Sequence, residues 1–317
     1  MLPTIMITGA SGFIGSRVVR AAARVPGVPS LRLMAHRQAL PEDLSGAALR
    51  IDADLAVPSS LRGTCDGVDV LLHCASVVSG PPELCEDVNV RGTQALLEEA
   101  QRAGVSRVVH LSTASVYGRG VYRNARVADL EPAPRSAVSR TREQAERLVL
   151  EAGGTVVRPY LVYGEGDVWS IAGLLDLLRT LGSPTEGWHS RLSVIDVDDL
   201  ARAMVHLALM PRERLGGAVY HAAHPEPVFC SDLIETLATI VDLPTTGPAL
   251  TYAAARERLR AAGLSTHFVD MVATDHWFDS GPLWSDIHCD PGPGFKSNIH
   301  HHAHWYRQRY QSPQEVA

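Results

Sequence analysis

A glycine-rich turn near the start of the chain constrains its fold more than any other feature. The apolar run Ile5–Thr8 leads directly into Gly9-Ala10-Ser11-Gly12-Phe13-Ile14-Gly15, and a helix-compatible segment follows. In such a GxxGxxG turn the first glycine permits a tight bend, the second lets backbone N–H groups approach a pyrophosphate, and the third allows close packing of helix on strand. The turn therefore predicts a dinucleotide site. The expected contacts are Gly9, Ser11, Gly12, Phe13, Ile14 and Gly15.

Short apolar runs alternate with longer helical patterns through the first half of the chain. Residues 31–36, 68–76 and 107–116 are predicted strands, and Ser16–Arg24 and Glu86–Ala103 are predicted helices. Strands in this order form a parallel sheet with right-handed crossovers, which puts helices on both faces and ligand sites at the carboxyl ends of the strands. The sequence therefore predicts an α/β fold with a doubly wound parallel sheet.

The alternation loosens beyond Gly166, where we predict a smaller C-terminal substrate lobe. A strand over Arg191–Val197 and a helix over Asp198–Met210 are the clearest elements there. The expected division is a dinucleotide-binding domain at 1–165 and a substrate-binding lobe at 166–317, with about 189–223 returning to the first domain.

Charge and composition exclude several classes of partner. The 317-residue chain has a formal net charge of −6, which gives no positive field for a phosphate backbone. No apolar run reaches the roughly 18 residues of a membrane span, and the start lacks a signal-peptide pattern. The five cysteines have no CxxC spacing, as expected for free thiols. We expect a cytoplasmic protein with a small-molecule substrate, no nucleic-acid, membrane or metal partner, and a homodimer as one candidate assembly.

The end of the second predicted strand bears on which dinucleotide binds. A carboxylate there would accept the ribose hydroxyls of NAD, but the sequence has Ala35-His36-Arg37. An imidazole and a guanidinium favour a 2′-phosphate, so His36 and Arg37 predict NADP, with NAD less favoured. The alternative that Arg37 is a solvated loop cation stays open.

The glycine turn and three further strings form a consistent set along the chain. They are TGASGFIG from Thr8, NVRGTQALLEEAQRAGVSRVVHLSTASVYG from Asn89, RPYLVYGEGD from Arg158 and IDVDDLARAMVHLA from Ile195. Together they resemble the extended short-chain dehydrogenase/reductases, the NAD(P)-dependent epimerase/dehydratase group. The resemblance implies a Rossmann domain that holds a nicotinamide dinucleotide. It implies adenine contacts from Asp54 and Leu55, a position under the cofactor for Ala75, and an approach to the nicotinamide amide by Pro159, Tyr160 and Val162.

The reaction centre of that family is a Ser or Thr, a Tyr and a Lys, and the match here is partial. Thr113 matches the residue that holds the substrate oxygen. Val138 stands at the Tyr position and Arg142 at the Lys position, while Lys296, the only lysine, lies far downstream. Arg142 can still hydrogen-bond a ribose, but Val138 can transfer no proton. The resemblance therefore implies an atypical active site that lacks its usual proton donor.

Tyr117 and His276 are the favoured candidates to replace that donor, and Asp275 is a third. Tyr117 follows Thr113 in the same loop, and His276 lies in segment 265–292, where aromatic and ionisable residues are mixed. Such a segment can line a pocket for an aromatic substrate, with His276 or Asp275 as acid or base. The alternative is a lobe-closing loop whose tryptophans fill an interface. The expected catalytic set is Thr113, Arg142, Tyr117 and His276.

Three classes of function are compatible with these features. The favoured one is an NADP-dependent enzyme that acts on a small organic substrate, aromatic ones included, through a non-standard proton donor. A redox-neutral cyclase, isomerase or lyase on the same fold is the second. A non-catalytic NADP(H)-binding sensor is the third. Measuring NADPH binding and consumption separates them.

Overall fold

The computed structural model describes residues 3–27, 30–36, 40, 48–183, 188–211, 217–243 and 248–311. The strands are β1 (Ile5–Thr8), β2 (Leu31–Ala35), β3 (Leu49–Asp52), β4 (Val70–His73), β5 (Arg107–Leu111), β6 (Tyr122–Ala125), β7 (Thr155–Pro159), β8 (Leu161–Tyr163), β9 (Arg191–Leu192), β10 (Val194–Asp196), β11 (Val219–Ala222), β12 (Val228–Phe229) and β13 (His276–Phe278). The α-helices are α1 (Phe13–Ala23), α2 (Pro82–Cys85), α3 (Thr93–Arg102), α4 (Ala137–Glu151), α5 (Ser170–Leu181), α6 (Val197–Leu209), α7 (Cys230–Ile240), α8 (Tyr252–Ala261), α9 (His267–Val272), α10 (Gly281–Ile287), α11 (Phe295–Asn298) and α12 (Ala303–Gln311).

Seven parallel strands form the main sheet in the order β3-β2-β1-β4-β5-β7-β11. The chain proceeds from β1 outward through β2 and β3, then returns to the other side of β1 with β4. Such a reversal of strand order opens a crevice at the carboxyl ends of β1 and β4. The predicted doubly wound parallel sheet is confirmed, and the crevice lies where the glycine turn follows β1.

The two faces of this sheet are covered by different helices. All residues of β1 and β4 are buried, as expected for strands enclosed on both faces. Helices α1 and α6 pack against each other over one face, where Val18, Val19, Leu200 and Met204 join the core. Helices α3 and α4 cover the other face. The sheet is therefore a rigid support for residues at its carboxyl edge.

The smaller lobe has its own core around α5, which packs against α7, α8 and α9. A four-stranded sheet in the order β12-β9-β13-β6 lies beside it. Within 189–223, strand β9 belongs to this small sheet, while β11 pairs with β7 at the edge of the main sheet. The proposed division of the chain into two domains stays a prediction. Within the described ranges, every helix is too short or too polar to cross a lipid bilayer.

Candidate active site

The glycine turn has the geometry that its sequence predicts. Gly9 has φ +67°, and a Cβ there would lie 2.8 Å from the Ala75 backbone nitrogen. A Cβ on Gly15 would lie 2.0 Å from the Gly9 carbonyl oxygen, so helix and strand approach too closely for any side chain. A Cβ on Gly12 would be near only that same oxygen, at 3.3 Å. Gly9 and Gly15 are thus required by packing, whereas Gly12 faces open space at the start of α1.

An open cleft of about 390 Å³ begins at this turn and follows the carboxyl ends of β1, β2 and β4. Its lining is Gly9, Ser11, Gly12, Met34, Ala35, His36, Ala53, Asp54, Leu55, Ala56, Ala75, Ser76, Val77, Leu84 and Val88. No side chain of the described residues caps the N-terminus of α1, so its first N–H groups face the cleft. Free N–H groups, apolar walls and a carboxylate at the far end suit the phosphates and adenosine of a dinucleotide.

His36 and Asp54 form a pair at the far end of the cleft. Nε2 of His36 lies 3.0 Å from Oδ2 of Asp54, and both side chains are partly exposed. The carboxylate therefore sits next to the imidazole that the sequence assigns to a 2′-phosphate. Arg37, the other residue of that prediction, lies outside the described residues.

Hydrogen bonds from the core fix the loop after β4. The Ala75 N–H donates to Thr8 Oγ1 at 3.1 Å, and Asn89 bonds the backbone N–H and carbonyl of Val77 at 2.7 and 3.0 Å. Asn89 belongs to a π-helical stretch, Glu86–Gly92, that precedes α3. The sequence analysis predicted one regular helix over Glu86–Ala103 and missed this π-helical turn. The turn directs the Asn89 amide toward the loop after β4.

Thr113 follows β5 at the same edge of the sheet. Its half-buried side chain accepts the Ser115 N–H and donates to the Ser115 hydroxyl, both at 3.1 Å. Ser115 is exposed. The two hydroxyls form a polar pair that can bind a substrate oxygen.

Arg142 is 5% exposed and lies under the loop after β4. Its Nη1 donates to Ser76 Oγ and its Nη2 to the Leu111 carbonyl, each at 2.8 Å. Burial lowers the pKa of Arg142 from 12.5 to about 10, because the charged form loses its hydration. The guanidinium thus joins the loop after β4 to the end of β5.

Tyr117 lies in a buried network away from the cleft. Arg158 Nη1 donates to the Tyr117 oxygen at 2.6 Å, so the phenol hydrogen is directed to Nε2 of His221 at 2.7 Å. Arg158 also holds Glu146, with distances of 2.5 to 3.1 Å. Burial raises the pKa of Tyr117 and lowers that of His221 to about 4. The phenol is therefore a neutral donor inside the protein.

His276 lies in β13 and is also buried. Its ring stacks on Tyr160 with a centroid distance of 5.3 Å and an angle of 6°, and its Nδ1 faces the Thr274 carbonyl at 3.1 Å. Burial lowers its pKa. The aromatic segment thus packs the lobe against the loop after β7, and the catalytic roles predicted for His276 and Tyr117 remain predictions.

The remaining sequence candidates divide between cleft and core. Asp54, Leu55 and Ala75 line the cleft together with Gly9, Ser11 and Gly12. Phe13 and Ile14 begin α1. Pro159 ends β7 and Val162 lies within β8, both buried. Sequence reasoning missed Ser76 and Asn89, although the asparagine was visible within the string NVRGT.

One group of ligating side chains lies elsewhere, where Asp196, Asp198 and His302 meet. The Glu165 N–H donates to Nδ1 of His302, so Nε2 carries the hydrogen and donates to Asp196 at 2.7 Å. Neither ring nitrogen then offers a lone pair to a metal. His302 instead ties the C-terminal segment to Asp196, which caps α6.

A doubly wound sheet with a glycine-lined cleft at its switch point defines a dinucleotide-binding α/β protein. The model of the NAD dependent epimerase/dehydratase family matches residues 5–223, and the chain belongs to this family. The resemblance inferred from the motifs is thereby confirmed.

Two relatives are named as reductases. The chain is 30% identical over 245 residues, 73% of its length and 72% of the relative, to a 4-hydroxy-2-methyl-3-oxo-4-farnesyl-3,4-dihydroquinoline-1-oxide ketoreductase of Stigmatella aurantiaca. It is 26% identical over 315 residues, covering 89% and 93% of the two chains, to a 2-alkyl-3-oxoalkanoate reductase of Stenotrophomonas maltophilia.

Solved structures share the fold across the whole chain. The dTDP-glucose 4,6-dehydratase DesIV of Streptomyces venezuelae superposes with a TM-score of 0.76 at 19% identity, covering 97% and 98% of the chains. MoeE5, solved with UDP-glucose and NAD, gives 0.74 at 24% identity, covering 96% and 99%. At these identities the likeness establishes the fold.

Proposed function

We propose that this protein is an NADP-dependent reductase of a carbonyl group in a small organic substrate, aromatic ketones included. The observation that carries the proposal is the Thr113–Ser115 hydroxyl pair at the end of β5, on the carboxyl edge of the sheet that also forms the glycine-lined cleft. The names of two relatives, a ketoreductase and a 3-oxoalkanoate reductase, support the reaction class.

Each part of the cleft has a distinct task in this proposal. The glycine turn and the start of α1 hold the pyrophosphate through backbone N–H groups. Asp54 and Leu55 border the adenine, and Arg142 with Ser76 lies under the ribose next to the reacting ring. A bound reduced nicotinamide supplies the hydride. Thr113 orients the substrate carbonyl by turning its hydroxyl hydrogen from Ser115 Oγ to the carbonyl oxygen.

The preference for NADP over NAD rests on His36 at the end of β2. Its side chain is 44% exposed at the mouth of the cleft, so it can reach a phosphate oxygen. The neighbouring Asp54 carboxylate opposes this preference, because it repels a 2′-phosphate and can accept a ribose hydroxyl instead. We therefore expect a moderate preference.

Val138 favours a second candidate, a protein that transfers no hydride. Its side chain offers no proton at the position where the family has a phenol. A redox-neutral enzyme and a sensor both fit this feature. Binding of NADPH without its consumption by any carbonyl compound is the expected behaviour of the sensor, and lack of binding favours the redox-neutral enzyme.

The test is a spectrophotometric assay of NADPH consumption with aryl ketones and 2-alkyl-3-oxo esters, combined with calorimetric titration of NADPH and NADH. Thr113→Val should lower the turnover by about 10²-fold while leaving NADPH affinity unchanged, because Thr113 contacts the substrate and lies outside the lining of the dinucleotide cleft. Thr113→Ser is the matched control and should retain most activity. Equal activity of the valine variant would contradict the role of Thr113.

A further inference from the structure

Arg142 is a buried cation without a carboxylate partner within 4 Å among the described residues. Glu146, an acidic side chain one turn further along α4, is already bound by Arg158. A buried guanidinium that lacks an anion is costly, and such a group releases its proton more easily than one in water. The position therefore suits a group that gives up a proton, rather than a structural ion pair.

Ser76 connects this cation to the cleft. A guanidinium has only donors, so the 2.8 Å contact makes Ser76 Oγ the acceptor of the Nη1 hydrogen. Ser76 is half-buried and lines the cleft, and within the described part of the chain its own hydroxyl hydrogen has no acceptor. That hydrogen is free to be donated to a ligand in the cleft.

The phenols around the reaction centre are already committed as donors. Tyr117 donates to His221, Tyr122 to the Tyr117 carbonyl at 2.8 Å, and Tyr160 to the Met271 carbonyl at 3.3 Å. Each hydroxyl hydrogen is directed into the protein. Ser76 is an alternative hydroxyl donor that lines the cleft and has a charged group, Arg142, behind it.

The charges that face Arg142 leave it protonated near neutral pH. Glu146 on α4 and the Cys74 thiol after β4 raise its pKa, but burial outweighs both and lowers it to about 10. His73 on β4 and His110 on β5 face the same guanidinium, and burial together with this cation lowers the pKa of each, so both stay neutral. Arg142 is thus the charged group of this cluster, with a pKa close to that of an ordinary phenol.

We infer that Ser76 is the proton donor of the carbonyl reduction and that Arg142 is the proton source behind it. This inference rests on the proposed function. Reduction adds a hydride from the nicotinamide to the carbonyl carbon and a proton to its oxygen. Ser76 gives its hydroxyl proton to that oxygen, directly or through one water, and takes the Nη1 proton of Arg142. The neutral guanidine then regains a proton from water.

Arginine ¹³Cζ NMR of the full-length protein tests Arg142 without any substrate. Ordinary arginines stay charged to above pH 12, so a signal that titrates between pH 8 and 11 marks an unusual guanidinium. We expect one such signal, absent in Arg142→Lys and retained in Arg147→Lys, a control at an exposed position of the same helix. An Arg142 signal that does not move up to pH 11 would overturn the inference, whatever the enzyme reduces.

The kinetic test compares Ser76→Ala with Ser76→Thr, which keeps the hydroxyl. In the NADPH assay at saturating NADPH, the alanine variant should lose about 10²-fold in kcat, and the threonine variant should retain most of its rate. The wild-type rate should fall as the pH rises through about 10. Full activity of Ser76→Ala would refute its role. If Arg142 titrates but no carbonyl compound is reduced, the proposed function is wrong, whereas the lowered pKa of Arg142 is confirmed.

Discussion

The two ends of the cleft are built from different parts of the chain. At the dinucleotide end, the shape comes from backbone, since Gly9 and Gly15 leave no space for side chains and the N–H groups of α1 are free. At the reaction end, the properties come from side chains such as Arg142 and Thr113, held by hydrogen bonds from several elements. Backbone geometry preserves binding of one ligand class, whereas side-chain substitutions can change the chemistry without changing the fold.

Breaking the network beneath the reaction end should give the largest effect. Glu146→Ala leaves Arg158 buried and unpaired, so the free energy of unfolding should fall by about 3–5 kcal/mol. Glu143→Ala, on the same helix and paired with the exposed Arg147, should cost less than about 1 kcal/mol. Urea denaturation of both variants measures the difference. Equal losses of unfolding free energy in the two variants would mean that the Glu146–Arg158 network does not stabilise the reaction end of the cleft.

Two glycines of the turn separate binding from folding at the dinucleotide end. Gly12→Val should weaken NADPH binding by at least about 100-fold, or about 2.7 kcal/mol, with an unchanged far-UV spectrum, because its side chain would occupy the phosphate path. Gly15→Ala should instead lower the thermal stability, because its Cβ would clash with the Gly9 carbonyl. Unchanged NADPH affinity of Gly12→Val would show that the turn has only a structural role.

Acid should destabilise the protein through His73 and His110, which are buried in β4 and β5 of the main sheet. Burial lowers the pKa of His73 to about 3 and that of His110 well below 6.5, so both are neutral when folded. Below about pH 6.5 the unfolded chain binds protons that the folded one does not. The free energy of unfolding should fall by about 1.4 kcal/mol per pH unit for His73 down to about pH 3, and His110 should add to this slope below about pH 6.5. His110→Phe should reduce that slope, and an unchanged slope would assign the acid sensitivity to other groups.

The preference between dinucleotides should be the smallest effect. We expect NADPH to bind about tenfold more tightly than NADH, a difference of about 1.4 kcal/mol. His36→Gln should remove part of this preference, and Asp54→Asn should increase it by relieving repulsion of the 2′-phosphate. Calorimetric titration of NADPH and NADH into the wild type, His36→Gln and Asp54→Asn measures the preference of each protein. Stronger binding of NADH by the wild type would contradict the predicted NADP specificity.

The sequence alone was sufficient for the sheet class, the glycine turn and the family. These features depend on local patterns, since alternating strand and helix periodicity and the space that a glycine leaves are properties of neighbouring residues. The resemblance to the family, and not the local pattern, implied cofactor contacts for Asp54, Leu55 and Ala75, and all three line the cleft. It also identified the substitutions at Val138 and Arg142.

Only the tertiary structure decided which polar side chains remain free to bind a ligand and which are used in hydrogen bonds within the protein. Whether Tyr117 donates to His221, whether Ser76 accepts from Arg142 and whether His302 is tied to Asp196 depend on contacts between residues from 66 to 106 positions apart. A hydrogen bond requires its partners to lie about 3 Å apart in a suitable direction, and residue types along the chain do not encode that distance. The sequence therefore determined what kind of ligand this protein holds, and the packing of distant segments determined which side chains can act on it.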